Sequence, residues 1–393
     1  MNRFIDALMA AAALWSCGGT DTPPAVDPGP VDPTPTTPVT PAVQTPAFAK
    51  GADISWVTEM ESAGIKFYKK DGTQADILTV LKDCGMNAIR LRVWVKPYQG
   101  WSGKEDVVAL AGRVQSAGMS LMVDFHYSDF FADPSRQQVP EDWKADVSDL
   151  TKMCEHVSAH TTEVLQALKT AGVTVAWVQI GNETRNGMLS PSGDAVWANG
   201  QINLTNFVKL YNAGYDAAKA VYPSANVMPH LDNAYLSASY GNPMWLDDFK
   251  AKGAKFDMIA FSHYPQNTSK MWIGSSEVSL SPAQVNSYAL AYIKTAASAY
   301  GVPVIVSEVG VQPSLSGSAD LLKSFMSELK KTNGCAGIFY WEPEVYGGWV
   351  PAVYKDADAI YRYTGKRETW GSYNQAAFSS NGRPSAILDA FSD

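Results

Sequence analysis

The 393-residue sequence lacks several features that mark common classes of protein. It has only four cysteines, which is too few for a disulfide framework. Its formal net charge is −8, and an excess of negative charge does not favour binding to nucleic acid or to an anionic membrane surface. It also lacks the G-x-G-x-x-G and Walker motifs that bind dinucleotides and nucleoside triphosphates. We therefore expect no nucleic-acid partner and no cofactor.

Aromatic side chains, in contrast, are abundant, with 12 Trp and 18 Tyr. Hydrophobic residues make up 46% of the sequence, which is ample for a core. Tryptophan is rarely needed in such numbers for packing alone, and its indole ring is also suited to stacking on flat apolar faces. The composition therefore favours a surface that stacks on flat apolar faces, such as those of sugar rings.

Residues 1–17 have the pattern of an export signal. Arg3 precedes an apolar run over residues 7–15, which is too short to span a bilayer as a helix and fits the hydrophobic region of a signal peptide. The end of this segment, Leu14-Trp15-Ser16-Cys17, resembles the lipobox of bacterial lipoproteins, in which the cysteine is lipidated. We predict lipidation of Cys17 and an exported bacterial lipoprotein at the outer membrane or cell surface. The alternative is an ordinary or vestigial leader with an incidental cysteine.

The composition changes after Cys17. Between Gly18 and Pro46, nine prolines alternate mainly with Thr, Val, Asp and Gly, and no periodicity could bury a face. Such a segment is typical of an extended, disordered tether. We therefore divide the chain into a signal segment (1–17), a tether (18–47) and one catalytic domain (48–393).

The domain shows a repeated alternation of strand and helix patterns. Strands are predicted at 50–56, 88–95, 120–127, 173–181, 226–231, 256–263, 303–307 and 335–342. Two capping boxes, Ser102-x-x-Glu105 and Ser281-Pro282-Ala283-Gln284, indicate helix starts. Eight β/α units in this length predict a single (β/α)8 TIM barrel with extended βα loops. An open doubly wound sheet is the competing fold, and it would favour a Gly-rich phosphate turn that the sequence lacks.

Polar and aromatic residues gather where the predicted strands end. Because the active sites of TIM barrels lie at the C-terminal ends of the strands, these residues are candidates for a site. Burying so many charged groups is costly unless they pair, which also favours a site. The candidates are Arg92, Trp94, Asp124, His126, Asn182, Glu183, Asp232, His263, Tyr264, Glu308 and Trp341.

Two of these residues, Glu183 and Glu308, end the fourth and seventh predicted strands. Two carboxyl groups, many aromatic rings and no cofactor motif point to glycoside hydrolysis. One carboxylic acid protonates the leaving oxygen, and the other attacks the anomeric carbon if the two groups are about 5–5.5 Å apart. The nucleophile needs a hydrogen-bonded, partly cationic setting, for which Arg92 and His263 are the candidates. The strand ends alone do not show which glutamate is the acid and which is the nucleophile.

Several stretches resemble glycoside hydrolase family 53, the endo-β-1,4-galactanases. An Asn-Glu pair that ends strand four and a Glu that ends strand seven are typical of the larger clan of these enzymes. The further motifs occur in family order and cover roughly residues 48–393. They are Gly51-Ala52-Asp53-Ile54-Ser55, Arg90-Leu91-Arg92-Val93-Trp94-Val95, Asp124-Phe125-His126-Tyr127-Ser128-Asp129, Ala132-Asp133-Pro134, Gln179-Ile180-Gly181-Asn182-Glu183, His230-Leu231-Asp232 and Tyr340-Trp341-Glu342-Pro343.

The resemblance implies distinct roles for the two glutamates, with Glu183 as acid/base and Glu308 as nucleophile. It implies that Asn182 holds the sugar 2-hydroxyl and that Trp341 forms the floor of subsite −1. It further implies that Arg92 and the end of the sixth strand orient the nucleophile. The remaining candidates for substrate binding are Trp94, Asp124, His126, Asp232, His263, Tyr264 and Trp349, of which Trp349 could equally be core.

Three departures from the family pattern affect the predicted cleft. Phe130-Phe131 stands where Thr-Trp is usual, Leu189-Ser190-Pro191 where Leu-Trp-Pro is common, and His263-Tyr264 where Tyr-Tyr is usual. In addition, the loop after Glu308 lacks the acidic residues that would hold calcium, so we expect no metal site there.

The expected activity is retaining, endo-acting hydrolysis of β-1,4-galactan side chains of pectin to galacto-oligosaccharides, by a protein that is a monomer. The nearest alternative is an endo-β-1,4-mannanase or glucanase of the same clan, with the same glutamates. A non-catalytic, surface glycan-binding lipoprotein is the alternative from another class.

Overall fold

The computed structural model describes residues 43–189, 197–198, 201–232, 245–267, 270–273, 276–371 and 374–392. The predicted signal segment with Cys17, and most of the predicted tether, lie outside these residues. Among the described residues, no helix is long and apolar enough to cross a membrane.

The two residues predicted to act in catalysis lie in or shortly after strands of the main sheet. In chain order, including two short hairpins in the loops, the strands are β1 (Ala49–Asp53), β2 (Ala88–Val93), β3 (Ser120–Phe125), β4 (Val175–Ile180), β5 (Trp197–Ala198), β6 (Gln201–Ile202), β7 (Asn226–Met228), β8 (His230–Asp232), β9 (Ile259–His263), β10 (Lys270–Ile273), β11 (Ser276–Ser279), β12 (Val304–Val309) and β13 (Cys335–Trp341).

The helices lie mostly between consecutive strands of the main sheet. They are α1 (Val57–Ser62), α2 (Ile77–Asp83), α3 (Lys104–Ser116), α4 (Leu150–Thr170), α5 (Leu204–Val221), α6 (Trp245–Ala251), α7 (Pro282–Tyr300), α8 (Ser318–Leu329), α9 (Ala352–Lys355) and α10 (Ala357–Thr364).

All pairs in the main sheet are parallel, in the order β7-β4-β3-β2-β1-β13-β12-β9-β8. The first and last strands, β1 and β13, are paired neighbours. A closed barrel requires this pairing, whereas an open doubly wound sheet does not. The two end segments, β7 and β8, follow each other in the chain and are separated only by Pro229. The sheet therefore forms a nearly closed barrel, and the predicted TIM barrel is confirmed.

Pro229 explains why the fifth predicted strand, 226–231, divides into two segments. Proline has no backbone N–H and cannot donate to a strand ladder. Before Pro229, β7 pairs with β4, and after it β8 pairs with β9. The carbonyl group of Pro229 still accepts from the N–H of Ala260 at 3.0 Å, so the chain changes partner without leaving the barrel wall.

The two predicted capping boxes have different outcomes. Ser281 caps α7 as predicted, with its side chain accepting from the N–H of Gln284 and Pro282 in the first turn. The prediction for Ser102 is wrong, because α3 begins after Gly103 and no described side chain caps it. Ser102 has a positive φ of 60°, which places it outside the helix, and its N–H donates to the Asp106 carboxylate at 2.7 Å.

An apolar layer fills the lower part of the barrel. It is built from small and large side chains of alternating inward positions, which is how TIM barrel interiors pack. Gly51 shows how tight this layer is, because a Cβ atom there would lie 2.3 Å from the Phe339 ring. The layer consists of Ala49, Ala88, Met122, Ala176, Trp177, Met228, Met258, Ala260, Ile305 and Phe339. The next inward positions along the strands are polar, and they form the floor of a cleft.

Candidate active site

A cleft of about 400 Å³ opens at the C-terminal ends of the barrel strands. Glu183 and Glu308 both line it, so folding brings the two predicted catalytic carboxyl groups into one space. The full lining is Asp53, Arg90, Arg92, His126, Phe131, Ala132, Asp133, Arg136, Asn182, Glu183, Tyr264, Asn267, Glu308, Trp341, Tyr354 and Gln375.

Glu308 lies near the end of β12 and is 5% exposed. One carboxylate oxygen accepts from Arg90 Nη2 at 2.9 Å. The other accepts from the Tyr264 hydroxyl at 2.8 Å and the Ser262 hydroxyl at 3.3 Å. Burial raises the pKa of Glu308, while the charge of Arg90 and the hydrogen bond from Tyr264 oppose that rise. This is the hydrogen-bonded, partly cationic setting that a carboxylate nucleophile needs.

Glu183 follows β4 and adopts a left-handed backbone conformation with φ 48°. Such a conformation is uncommon for a residue with a side chain, and strain of this kind clusters at functional sites. Burial raises the pKa of Glu183 well above 4.5, and the negative charges of Glu308 and Asp232 raise it further. Both effects favour the protonated carboxyl group, which is the form that a general acid needs.

Arg90 is the centre of the charge network beneath the cleft. Its guanidinium is 1% exposed and donates to Asp53 at 2.7 Å, Asp124 at 2.8 Å and Asn182 at 2.9 Å, as well as to Glu308. Several carboxylates can be buried together here because one cation pairs with all of them. The alternation of β2 places Arg90 and Arg92 on the same face, and this was the signal that could have identified Arg90.

Arg92 lines the cleft, but the prediction that it orients the nucleophile is wrong. Its Nη1 donates to Glu342, the residue after β13. The guanidinium also lies over the rings of Trp56 and Phe131, at 4.2 and 4.7 Å from their centroids. Arg92 therefore holds the wall beside the cleft, while Arg90 contacts the nucleophile.

The predicted contribution of the sixth strand divides between His263, the last residue of β9, and Tyr264, which follows it. Tyr264 lines the cleft and donates to Glu308. His263 is fully buried on the other side of β9, where Nε2 bonds to Asn286 of α7 at 2.7 Å and the ring packs on Phe325 of α8. Adjacent strand residues point to opposite faces, so His263 cannot share the cleft with Tyr264. The prediction that His263 binds substrate is wrong.

Asp124 supports the cleft from below. It is fully buried and accepts from Arg90, and its carboxylate also meets His126 Nε2 at 2.9 Å. His126 does line the cleft, and its Nδ1 accepts from the N–H of Ala132 at 3.0 Å. The structure thus contradicts direct substrate contact by Asp124 and places His126 at the cleft in a fixed orientation.

Asn182 lines the cleft and is held by Arg90 on one side and by Ala132 on the other. Its Oδ1 accepts from Arg90, and its Nδ2 donates to the carbonyl group of Ala132 at 2.8 Å. These two bonds determine the orientation of the amide, with its oxygen toward Arg90 and its nitrogen toward Ala132.

Asp232 lies at the end of β8 beside Glu183 rather than in the lining of the cleft. It pairs with Arg185 at 3.1 Å, and burial raises its pKa to about 6. Residues 233–244, which follow it, lie outside the described part of the chain. Its predicted contact with substrate stays a prediction.

The predicted tryptophans fall into two groups. Trp341 lines the cleft and meets Tyr264 and Phe131 edge to face, with ring centroids 6.2 and 6.5 Å apart. Trp94 and Trp349 are 2% and 6% exposed and pack around Trp56. The structure contradicts sugar binding by Trp94 and Trp349, which are core residues.

Four lining residues lie outside both the predicted site residues and the stretches quoted in the sequence analysis. They are Arg136, Asn267, Tyr354 and Gln375. All four lie in loops or in the C-terminal region, where no strand periodicity predicts the direction of a side chain. Asp53, Arg90, Ala132 and Asp133 also line the cleft, and they had a signal because they belong to those stretches.

Within the described residues, no group of three or more His, Cys, Asp or Glu side chains could hold a metal ion. Cys84, Cys154 and Cys335 are free there, and Cys84 is buried.

Comparisons with known proteins agree with this geometry. The model of Glycosyl hydrolase family 53 matches residues 49–391. An endo-beta-1,4-galactanase of Bacillus subtilis is 30% identical over 388 residues, covering 88% of this chain and 85% of that protein. An arabinogalactan endo-beta-1,4-galactanase A of Emericella nidulans is 31% identical over 322 residues, covering 77% and 85%.

Solved structures give the same result. The family 53 catalytic domain of Ignisphaera aggregans superposes with a TM-score of 0.69 at 27% identity, covering 93% of this chain and 99% of that one. A structure from work on two fungal beta-1,4-galactanases gives 0.67 at 25% identity, covering 87% and 98%. With the match to the family model over nearly the whole barrel, these likenesses show that the chain belongs to glycosyl hydrolase family 53.

Proposed function

We propose that this protein is a retaining endo-β-1,4-galactanase that cleaves galactan side chains of pectin to galacto-oligosaccharides. The observation that carries the proposal is that one open cleft holds both Glu183, whose pKa is raised by burial and nearby negative charge, and Glu308, which is held by Arg90 and Tyr264. The family 53 relatives, which are named as galactanases, support the substrate.

The reaction proceeds by double displacement. Glu308 attacks the anomeric carbon, and the bond to the glycosidic oxygen breaks as Glu183 donates its proton to that oxygen. Glu183 then removes a proton from water, which attacks the anomeric carbon and releases Glu308. Two inversions give net retention, and Glu183 ends protonated again, with a proton from the water molecule.

The charges around Glu183 suit both of its tasks. In the free enzyme the negative charge of Glu308 helps to keep Glu183 protonated. Once Glu308 carries the sugar as a neutral ester, that repulsion disappears and the pKa of Glu183 falls. The same carboxyl group is then ready to act as a base.

The direct test is hydrolysis of β-1,4-galactan compared with β-1,4-mannan and cellulose. We expect rapid release of oligosaccharides from galactan alone, and proton NMR should show the β-anomer first. Faster cleavage of mannan or cellulose would favour the other clan activities. No turnover on any of the three would favour a glycan-binding protein, and a first-formed α-anomer would contradict retention.

The two carboxyl groups can be told apart with a substrate that has an activated aryl leaving group. Glu183→Gln should lose activity on galactan but keep part of the first step on the aryl substrate, because such a leaving group needs no acid. Equal losses on both substrates would contradict the acid role of Glu183.

We also propose that the protein is a lipoprotein, anchored through Cys17 and held away from an outer membrane or cell surface by the tether 18–47. The support is the apolar run before Cys17 and the proline-rich composition after it. Cys17→Ser should release the protein from the membrane fraction and abolish labelling by a radioactive fatty acid. Unchanged membrane attachment would contradict the anchor.

We propose a monomer, because one chain supplies both carboxyl groups and their described partners. Analytical ultracentrifugation of the soluble domain should show one species of monomer mass, and a stable dimer would contradict this.

A further inference from the structure

We propose that Ser262, held by His230, is a positioning residue that donates its one hydroxyl proton to whichever catalytic glutamate carries the negative charge. In the free enzyme that glutamate is Glu308, and in the glycosyl-enzyme it is Glu183. The inference rests on the proposed double displacement and adds a residue pair that none of the predicted roles included.

Ser262 lies between the two carboxyl groups. It is fully buried near the end of β9, with Oγ 3.3 Å from Glu308 and also in hydrogen-bonding contact with the Glu183 carboxyl group. A serine hydroxyl has a single proton, so it can donate to only one of the two carboxylates at a time. Rotation about one bond moves that proton from one to the other.

His230 holds the Ser262 oxygen in place. Its Nε2 lies 3.0 Å from Ser262 Oγ, and the ring is fully buried. Burial lowers the pKa of His230 well below 6.5, and the nearby charge of Arg90 lowers it further. Both effects favour the neutral imidazole, in which only one of the two nitrogens carries a proton.

The contacts of Nδ1 show which nitrogen that is. The backbone N–H of Glu183 donates to Nδ1 at 3.2 Å, and the Gln179 amide nitrogen lies 3.0 Å away. Asn182 Oδ1 is also near, at 2.9 Å, but it already accepts from Arg90. The backbone N–H of Glu183 can only donate, so Nδ1 is the acceptor and the proton is on Nε2.

This tautomer determines the direction of the serine hydroxyl. Nε2–H donates to Ser262 Oγ, which leaves the serine proton free to point at a carboxylate. With the other tautomer the serine would donate to His230 instead and could not serve either glutamate.

The two glutamates depend on Ser262 to different extents. Glu308 has Arg90 and Tyr264 as further donors. Glu183 faces the negative charges of Glu308, Asp232 and Asp133, and the Ser262 hydrogen bond opposes the rise that they cause in its pKa. Removal of the hydroxyl should therefore affect mainly the charged form of Glu183, which acts as base in the second step.

Ser262→Ala is the test, on an aryl β-galactobioside with a dinitrophenol leaving group that the parent enzyme hydrolyses. Leaving-group departure then needs no acid, and the base step limits kcat. We expect kcat to fall about 10- to 100-fold, the range for loss of a hydrogen bond to a charged group. The basic limb of the kcat/KM pH profile on galactan should move to higher pH, because the carboxylate of Glu183 has lost a donor.

The titratable groups around the pair stay the same in this variant, so the shift can be assigned to the hydroxyl. They are Asp53, Arg90, Asp124, Asp133, His230, Asp232 and Tyr264.

Ser307→Ala is the matched control. Ser307 precedes Glu308, is fully buried, and its Oγ has no hydrogen-bond partner among the described residues. We expect its kcat and both pH limbs to match those of the parent. Ser262→Thr restores a hydroxyl and should recover most of the lost rate.

A second measurement does not depend on turnover. NMR of protein labelled with ¹⁵N-histidine should show His230 as the neutral tautomer protonated at Nε2. Protonation at Nδ1 would overturn the proposal, and so would a Ser262→Ala variant with the rate and pH profile of the parent. If the parent itself does not cleave galactan, the proposed function fails, whereas the tautomer can still be read.

Discussion

Two arginines on the same face of β2, Arg90 and Arg92, each bind a different glutamate. Arg90 pairs with Glu308 and Arg92 with Glu342, and both guanidinium groups are 1% exposed. One pair lies in the catalytic centre and the other in the wall beside it. The residue types are the same, so the difference must come from the surroundings.

The surroundings differ in the donors that they offer to the glutamate. Glu308 accepts from an arginine, a tyrosine and a serine. Glu342 accepts from Arg92, whose guanidinium packs against three aromatic rings. Burial raises the pKa of Glu342 to about 8. Glu344 nearby is fully buried as well, and burial raises its pKa well above 4.5. Many donors keep a buried carboxyl group ready to attack, whereas few donors let it keep its proton.

The largest effect should separate the two glutamates. Glu308→Ala should reduce galactan hydrolysis by about 10⁴-fold or more, as expected for loss of a nucleophile. Folding should persist because Arg90 retains Asp53 and Asp124. Glu342→Gln should stay within about tenfold of the parent, since it keeps a hydrogen-bond acceptor for Arg92. Release of reducing sugar and thermal melts measure both, and a Glu308→Ala variant within tenfold of the parent would remove Glu308 from its role.

The second-largest effect should be a difference in stability between variants of the two arginines. Arg90→Met leaves three buried carboxylates without a cation and should cost about 3–5 kcal/mol in the free energy of unfolding. Arg92→Met should cost less, about 1–3 kcal/mol, because Glu342 can hold a proton instead. Urea unfolding at pH 7 gives both numbers. If the two variants lose the same stability, the proposed contrast between the regions is wrong.

Two buried glutamates beside the cleft, Glu342 and Glu59, should also make the stability of the protein depend on pH. Burial raises the pKa of Glu342 from 4.5 to about 8 and that of Glu59 to about 7. Between 4.5 and these values the folded protein holds protons that the unfolded chain has lost, so stability falls as pH rises. Each such group contributes a slope of at most about 1.4 kcal/mol per pH unit.

Glu342→Gln tests this pH dependence. Urea unfolding between pH 5 and 8 should show a shallower decline in the variant than in the parent. An unchanged slope would show that Glu342 does not titrate in this range.

The smallest effects should come from the tryptophans. Trp341→Phe reduces the stacking surface in the cleft and should raise KM about fivefold, which corresponds to about 1 kcal/mol. Trp349→Phe should leave KM unchanged and lower the free energy of unfolding by about 1–2 kcal/mol, because it opens space beside Trp56. A raised KM for Trp349→Phe would show that Trp349 binds substrate and would contradict its assignment to the core.

Much of the fold and part of the site could be predicted from local pattern. The eight strand runs lie within a few residues of the observed strands, because alternation and turn residues act over short distances. Glu183 and Glu308 could be found because strand ends meet at one face of a barrel. Even the orientation of His263 was present in the pattern, since it alternates with Ser262 and Tyr264.

The partners of these side chains could not be predicted, because they depend on how far one strand is shifted against the next. The register of β12 shifts against β9 between Val306 and Glu308, and this irregularity lies directly before the nucleophile. The sequence by itself determined the barrel and the two glutamates. Only the tertiary structure decided that Arg90, rather than Arg92, pairs with Glu308, and that Trp94 and Trp349 are enclosed. Register and loop packing arise from contacts between distant segments, and local periodicity carries no information about them.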